Sequence, residues 1–338
     1  MLTENRVLSL VVVDQQGKVT SMLSVRDVVA HFLHGFAEED VENLLKHTYN
    51  FYSMLIDKRE LVQHTVHHIK RTLKEAQQQE PLLMMPAETA TVYGVLKRML
   101  EAGLPRVVLC TADGQPVNIV SQARILQFLT TMLDVLPRSR RTVRELGFCN
   151  KPAITIPINT IAYAAFQLMI EKNVNSLAVV GAEGELVATI SLSDIKVYTS
   201  FFFLASFFLL LTIFLCSLLV YQLLGNDLSE FQSLAQPVIS YLLQRQRNYD
   251  ALQRYNSEAL TFFRSVRGEV VTCFPEDSLS TAILALNYYS VHNIYVVSDE
   301  GGRNSNRTIG VVSVDDALSA LLDINGKDAE STLLNETT

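Results

Sequence analysis

SLAVVGAEGELVATISLSDI, running from Ser176 to Ile195, decides the fold. Two short runs rich in Val, Ala and Ile flank a polar turn that holds Gly184, and runs of that kind joined by turn residues read as a β-hairpin. Ser191 and Asp194 then open a helix, a hydroxyl and a carboxylate three positions apart in the manner of an N-terminal cap. The same grammar appears elsewhere in the chain. It reads LSLVVVDQQGKVTSMLSVRDVV from Leu8, RVVLCTADGQPVNIVSQARIL from Arg106 and, with a longer polar hairpin, NIYVVSDEGGRNSNRTIGVVSVDDAL from Asn293. Gly17, Gly114 and Gly184 each precede the last residue of Ser-x-x-Asp/Arg by ten positions, at Asp27, Arg124 and Asp194. A fixed offset recurring at long period marks one supersecondary unit used repeatedly.

Ahead of the second, third and fourth copies lie stretches with apolar residues three or four apart, beginning at Thr91, Thr160 and Ser278. They are predicted helices, with those three hydroxyls expected at the N-caps. Each copy is therefore β-α-β-β-α, and the fold class is α/β (α+β). The first copy lacks its leading strand and helix, so its partner is expected to be left with apolar surface.

From Asp27 to Arg124 is 97 positions, and from Asp194 to Asp316 is 122. The excess has an obvious location. FFFLASFFLLLTIFLCSLLVYQ, from Phe201 to Gln222, carries no charge and is long enough to cross a bilayer. One crossing would separate two copies that must pack together, and no basic cluster flanks the tract. Its codons can instead spell an unspliced intron from Val197 to Gln222. Removing those 26 residues leaves a spacing of 96 beside the 97 of the first pair. A membrane anchor and a buried core helix are the alternatives.

A hairpin followed by Ser-x-x-Asp, after an N-capped helix, resembles the CBS motif, whose repeats pair into Bateman modules. Within that superfamily the chain is similar to the gamma regulatory subunit of the AMP-activated protein kinase. Its second copy has Arg124 where the others have Asp, and RILQFLTTMLDVLP with TVRELGF resembles that family's bridge. The organisation this implies is module 1 over residues 1–136 (partial repeat 1–36, repeat 81–130), a bridge over 137–151, and module 2 over 152–325 (repeats 152–196 and 265–323). An apolar insertion over 197–222 and a disordered tail over 326–338 complete it.

The resemblance also implies a ligand, an adenine nucleotide (AMP, ADP or ATP), in clefts between paired repeats. Asp27, Asp194 and Asp316 take the role of ribose acceptors, since an ionised carboxylate presents only acceptors. Thr160 and Ser278 match positions beside the nucleotide, and Ser24, Ser191 and Ser313 open the motif helices, where free amides favour a phosphate. Arg106 and His292 match basic positions of the family. Leu8, Asn175, Ser176, Gln122, Ala123, Pro105 and Asn293 stand where other basic residues are expected, which weakens phosphate binding. Arg124 is expected to spoil one cleft or to reach across to a neighbouring phosphate. The simpler reading of each Ser-x-x-Asp is a helix cap alone. The implied partners are a kinase catalytic subunit and a scaffold subunit, with no enzymatic activity in this chain. The alternatives are a CBS scaffold that binds no nucleotide, and a membrane-anchored CBS protein if 201–222 is translated.

The formal charge of −7 argues against a nucleic-acid coat, which demands a broad basic face. Four well-separated cysteines, without CxxC spacing or a secretory signal, point to buried thiols in the cytoplasm or nucleus. His64, His67 and His68 share a helical face but lack a zinc-site partner, so no metal is expected. Arg138, Arg140, Arg141 and Arg144 read as a solvated linker. No nucleophile motif, Walker loop or Rossmann fingerprint is present.

Overall fold

The computed structural model describes residues 9–34, 66–75, 81–195, 234, 236–243, 270–298 and 307–322. The apolar tract 197–222, the tail 326–338 and His64 lie outside the described residues. Among the described residues no helix is long and apolar enough to cross a membrane.

The first copy comprises β1 (Ser9–Val13), β2 (Val19–Ser24) and α1 (Val25–His34), with α2 (Val66–Glu75) following. The second has β3 (Met84–Pro86), α3 (Val92–Ala102), β4 (Arg106–Cys110), β5 (Pro116–Ser121) and α4 (Gln122–Leu129). The third has β6 (Thr155–Pro157), α5 (Ala162–Glu171), β7 (Ser176–Val180), β8 (Leu186–Ser191) and a 3-10 turn, Leu192–Ile195. The fourth has β9 (Thr272–Cys273), α6 (Leu279–Tyr289), β10 (Asn293–Val297), β11 (Thr308–Ser313) and α7 (Val314–Leu322).

All four hairpins share one register. The first residue of the first strand faces the motif serine: Ser9 opposite Ser24, Arg106 opposite Ser121, Ser176 opposite Ser191, Asn293 opposite Ser313. Gly17, Gly114 and Gly184 all have φ near +80° (79, 81 and 81), which explains the fixed offset, because that turn conformation strains any residue with a Cβ. In copies two to four the leading strand pairs parallel with the first hairpin strand, as Met84 with Val108, Thr155 with Ala178 and Thr272 with Tyr295. The crossover between those parallel strands is the predicted amphipathic helix.

The copies close into a ring through two kinds of contact. Helix faces join the first copy to the third, where Val25, Val29 and Leu33 pack with Tyr163, Phe166 and Met169. They also join the second copy to the fourth, where Leu96, Ile125 and Leu129 pack with Ile283, Ala317 and Leu321. Sheet faces join the first to the second through Met22, Val108 and Cys110, and the third to the fourth through Ala178, Leu186, Tyr295 and Val297. Two polar links reinforce the helix faces. Arg26 donates to the carbonyls of Met169, Ile170 and Val174 at the end of α5, and Gln122 bonds Asp315. Arg26 and Asp315 occupy the same place, one residue before the motif acid.

The incomplete first copy forms a two-stranded sheet, and α1 takes its cover from downstream: α2 packs on it and buries Leu73. The bridge docks on the fourth copy. Val143 N–H donates to Asp277 O and Leu279 N–H to Arg141 O, while Thr142 and Glu145 cap each other reciprocally. Arg144 pairs with Glu276 at 2.8 Å while its side chain stays 61% exposed.

Candidate functional site

The same local chemistry builds each motif acid. A strand brings the serine to the helix start, where the first amides lack intrahelical partners, and the carboxylate three residues on folds back over them. Ser24 N–H and Oγ donate to Asp27 Oδ2 at 2.6 and 2.8 Å. Ser313 N–H and Oγ donate to Asp316 Oδ2 at 2.9 and 2.6 Å. In the third copy Ser191 N–H donates to Asp194 Oδ2 at 2.7 Å, while Ser191 Oγ turns to Ser193. In copies two to four the residue just before the hairpin is tied to the same helix start, since Gln122, Leu192 and Val314 donate their N–H groups to the carbonyls of Pro105, Asn175 and His292. His292 is thereby fixed beside the Asp316 motif, at the place equivalent to Pro105 and Asn175.

Each acid has different surroundings. Asp27 is 2% exposed and Lys70, from α2, stands 3.0 Å from its Oδ2. Asp316 receives Lys151 Nζ at 2.7 Å on both oxygens, with its side chain 18% exposed. Beside it, burial above all raises the Asp315 carboxyl; Gln122 and Lys151 oppose the rise, and the charge of Asp316 adds to it. Asp194 is buried.

Between the third and fourth copies the sheets meet over a polar seam. Asn293 Nδ2 donates to Ser176 Oγ at 2.7 Å, and the buried Tyr295 hydroxyl lies 3.5 Å from Ser176 Oγ and 3.3 Å from Thr189 Oγ1. Burial pushes the Tyr295 hydroxyl above its ordinary range, so it remains protonated and able to donate. The expected residues Ser176 and Asn293 are thus uncharged and engaged with each other.

Ser278 caps α6, accepting from Thr281 N–H at 3.2 Å. Thr91 caps α3 in the same way. Thr160 does not, contrary to expectation. The N-cap of α5 is Ile161, and its side chain makes no capping bond. The reason is a backbone substitute: Gln236 O accepts from Ala162 N–H at 3.0 Å and Thr160 O accepts from Val238 N–H at 2.7 Å. The first amide that a hydroxyl would have served is already satisfied. Arg124 is exposed and holds Gln127 of its own helix at 2.8 Å. Arg106 lies at the start of β4, opposite Ser121.

Lys70, Lys151, Asn293 and Tyr295 were not singled out as charge or hydrogen-bond partners by sequence reasoning. The two lysines sit 43 and 165 positions from their acids, and no spacing rule connects such pairs. Tyr295 reads as one more strand apolar. The only signal was alternation, which places it on the same face as the core residue Val297.

Residues 143–199 and 264–323 match the family model of the CBS domain. A stretch of 137 residues is 30% identical to Protein sds23 of Neosartorya fischeri, covering 38% of this chain and 25% of the relative. Protein sds23/moc1 of Schizosaccharomyces pombe is 31% identical over 113 residues, 32% of this chain and 28% of the relative. The chain thus matches about a quarter of the length of these curated relatives. Protein MJ1225 of Methanocaldococcus jannaschii, a proposed archaeal counterpart of the AMP-activated kinase gamma subunit, superposes with a TM-score of 0.60. That superposition covers 94% of this chain and 89% of that one at 14% identity. A conserved protein of Pyrococcus horikoshii gives 0.50 over 93% and 91%, at 16% identity. At such identities the likeness is one of fold. With the repeated hairpin register, the serine-anchored acids and the family match in hand, the chain carries CBS domains over residues 143–199 and 264–323, and its four copies have the fold of paired CBS repeats.

Proposed function

We propose that the chain is a non-catalytic regulatory protein that binds an adenine nucleotide between its third and fourth copies. The observation that carries this reading is the Asp316 carboxylate. It is anchored on one oxygen by Ser313, held on both by Lys151 with its side chain 18% exposed, and its helix start donates to the carbonyl of His292. A carboxylate so fixed is preorganised to accept from vicinal hydroxyls of a ribose. Asp194, held by Ser191, is the equivalent acid of the third copy, and Thr160 and Ser278 are assigned to the site on the family resemblance. Asp27 is a poorer acceptor, being buried against Lys70, and Arg106 and Arg124 belong to a second copy without a motif acid.

Coupling follows from the ring. Asp315, adjacent to Asp316, is the residue that reaches Gln122 of the second copy, so a ligand that alters the α7 start bears directly on the contact between modules. A ligand shifts such packing only by binding one arrangement better than the other. The output is a kinase catalytic subunit held with a scaffold subunit, as the gamma-type architecture suggests. The test is calorimetric titration of the full chain with AMP, ADP, ATP and S-adenosylmethionine. Saturable binding of at least one adenine nucleotide is expected; none with any of the four would leave the second reading, a CBS scaffold in which Lys70 and Lys151 take up Asp27 and Asp316.

A further inference from the structure

The strand starts of the second module carry Ser176 and Asn293, bonded to each other, where a phosphate would call for cations. A cation arrives from another direction. Lys151 lies just after the 3-10 turn Phe148–Asn150, and its Nζ donates to both oxygens of Asp316 at 2.7 Å. The segment that carries it is clamped. The turn lies against β11 so closely that a Cβ on Gly310 would collide with the carbonyl oxygen of Phe148. Phe148 itself is buried in the core shared by the second and fourth copies.

The two oxygens of Asp316 are not equivalent. Oδ2 accepts from Ser313 N–H and Oγ as well as from Lys151, whereas among the described residues Oδ1 receives Lys151 alone. A diol seeking acceptors must take Oδ1, and with it the place of the ammonium.

The geometry points to Lys151 as the group that makes the Asp316 site select a nucleoside phosphate over the bare nucleoside. This rests on the reading of Asp316 as the ribose acceptor. Adenosine offers only neutral hydroxyls in exchange for the ammonium, and leaves that charge without an anion. A nucleotide brings its own anion to the same place, so Lys151 exchanges a carboxylate for a phosphate and the site keeps its charges paired. The lysine side chain is 49% exposed on a four-carbon stem, so the exchange needs only its rotamers to change. Selectivity of this kind combines a new attraction for one ligand with an unpaired charge against the other.

The test is titration of the full chain with AMP and with adenosine, in the wild type, Lys151→Gln and Lys151→Arg. The lysine end of the pair is half-exposed and Asp316 keeps both Ser313 donors, so both variants should unfold close to the wild-type urea midpoint. Lys151→Gln is expected to weaken AMP about ten- to a hundredfold, the range for a lost charge-assisted bond, and to tighten adenosine. Lys151→Arg is expected to keep the preference for AMP. Equal weakening of both ligands, or no change in either, would overturn the role of Lys151 while leaving the Asp316 site standing. If wild-type protein bound neither ligand, the site itself and this inference would fall together.

Discussion

Lys70 Nζ and Asp27 Oδ2 form an ion pair at 3.0 Å with side chains only 10% and 2% exposed. Removing one partner of such a pair strands the other charge, which costs about 3–5 kcal/mol. Lys70→Met should therefore destabilise the chain by about that amount in urea unfolding. The double variant Lys70→Met with Asp27→Asn should recover part of the loss, because it removes both charges. Equal midpoints for wild type and Lys70→Met would show that the pair contributes nothing.

Gly310 cannot accept a larger side chain, because the Phe148 carbonyl and the Cys149 backbone occupy the space over it. Gly310→Val should cost about 1–3 kcal/mol through overpacking, read as a lower denaturation midpoint. An unchanged midpoint would mean that the bridge is not held against β11.

The Cys273 thiol is pushed up to about 12 by burial, with the charge of Asp277 and then Cys149 adding to the rise. Burial also raises Cys110. Since the thiolate is the nucleophile, neither should react with iodoacetamide near neutral pH in the folded protein, and of the three described cysteines Cys149, only half-buried, should react first. Mass mapping of the labelled native chain checks the order. Early labelling of Cys273 would contradict the burial of β9.

Asp315 carries a carboxyl raised chiefly by burial. The folded state then holds its proton more tightly than the unfolded state, so its contribution favours folding below the ordinary carboxylate range. That contribution is lost as pH rises through the folded value. Asp315→Asn keeps a partner for Gln122 but removes the titration. The difference in stability between variant and wild type should therefore move in favour of the variant as pH rises above the ordinary carboxylate range, until Asp315 is ionised in the folded protein as well. A difference independent of pH would assign Asp315 to packing alone.

The hairpins, the turn glycines and the motif serines were legible because each is fixed by local rules: alternation, left-handed turns, and free amides at helix starts. Thr160 shows where such rules fail. Its cap role was displaced by residues 236–238, a segment remote in sequence whose backbone does the same job. The partition of copies into a ring was likewise hidden, since Val29 and Phe166 are each merely apolar until the fold opposes them. Asp27, Asp194 and Asp316 look alike as motifs. What distinguishes Asp27 from Asp316 is which lysine the tertiary structure delivers, and neither Lys70 nor Lys151 stands at a telling distance in the chain.

The most direct test of the account is calorimetric titration of AMP into the full chain and its Asp316→Ala variant. A hydrogen-bonded charged acceptor contributes about 1.5–3 kcal/mol, so the variant should bind AMP more weakly by that margin. AMP affinity unchanged by Asp316→Ala would contradict a nucleotide site at the second module.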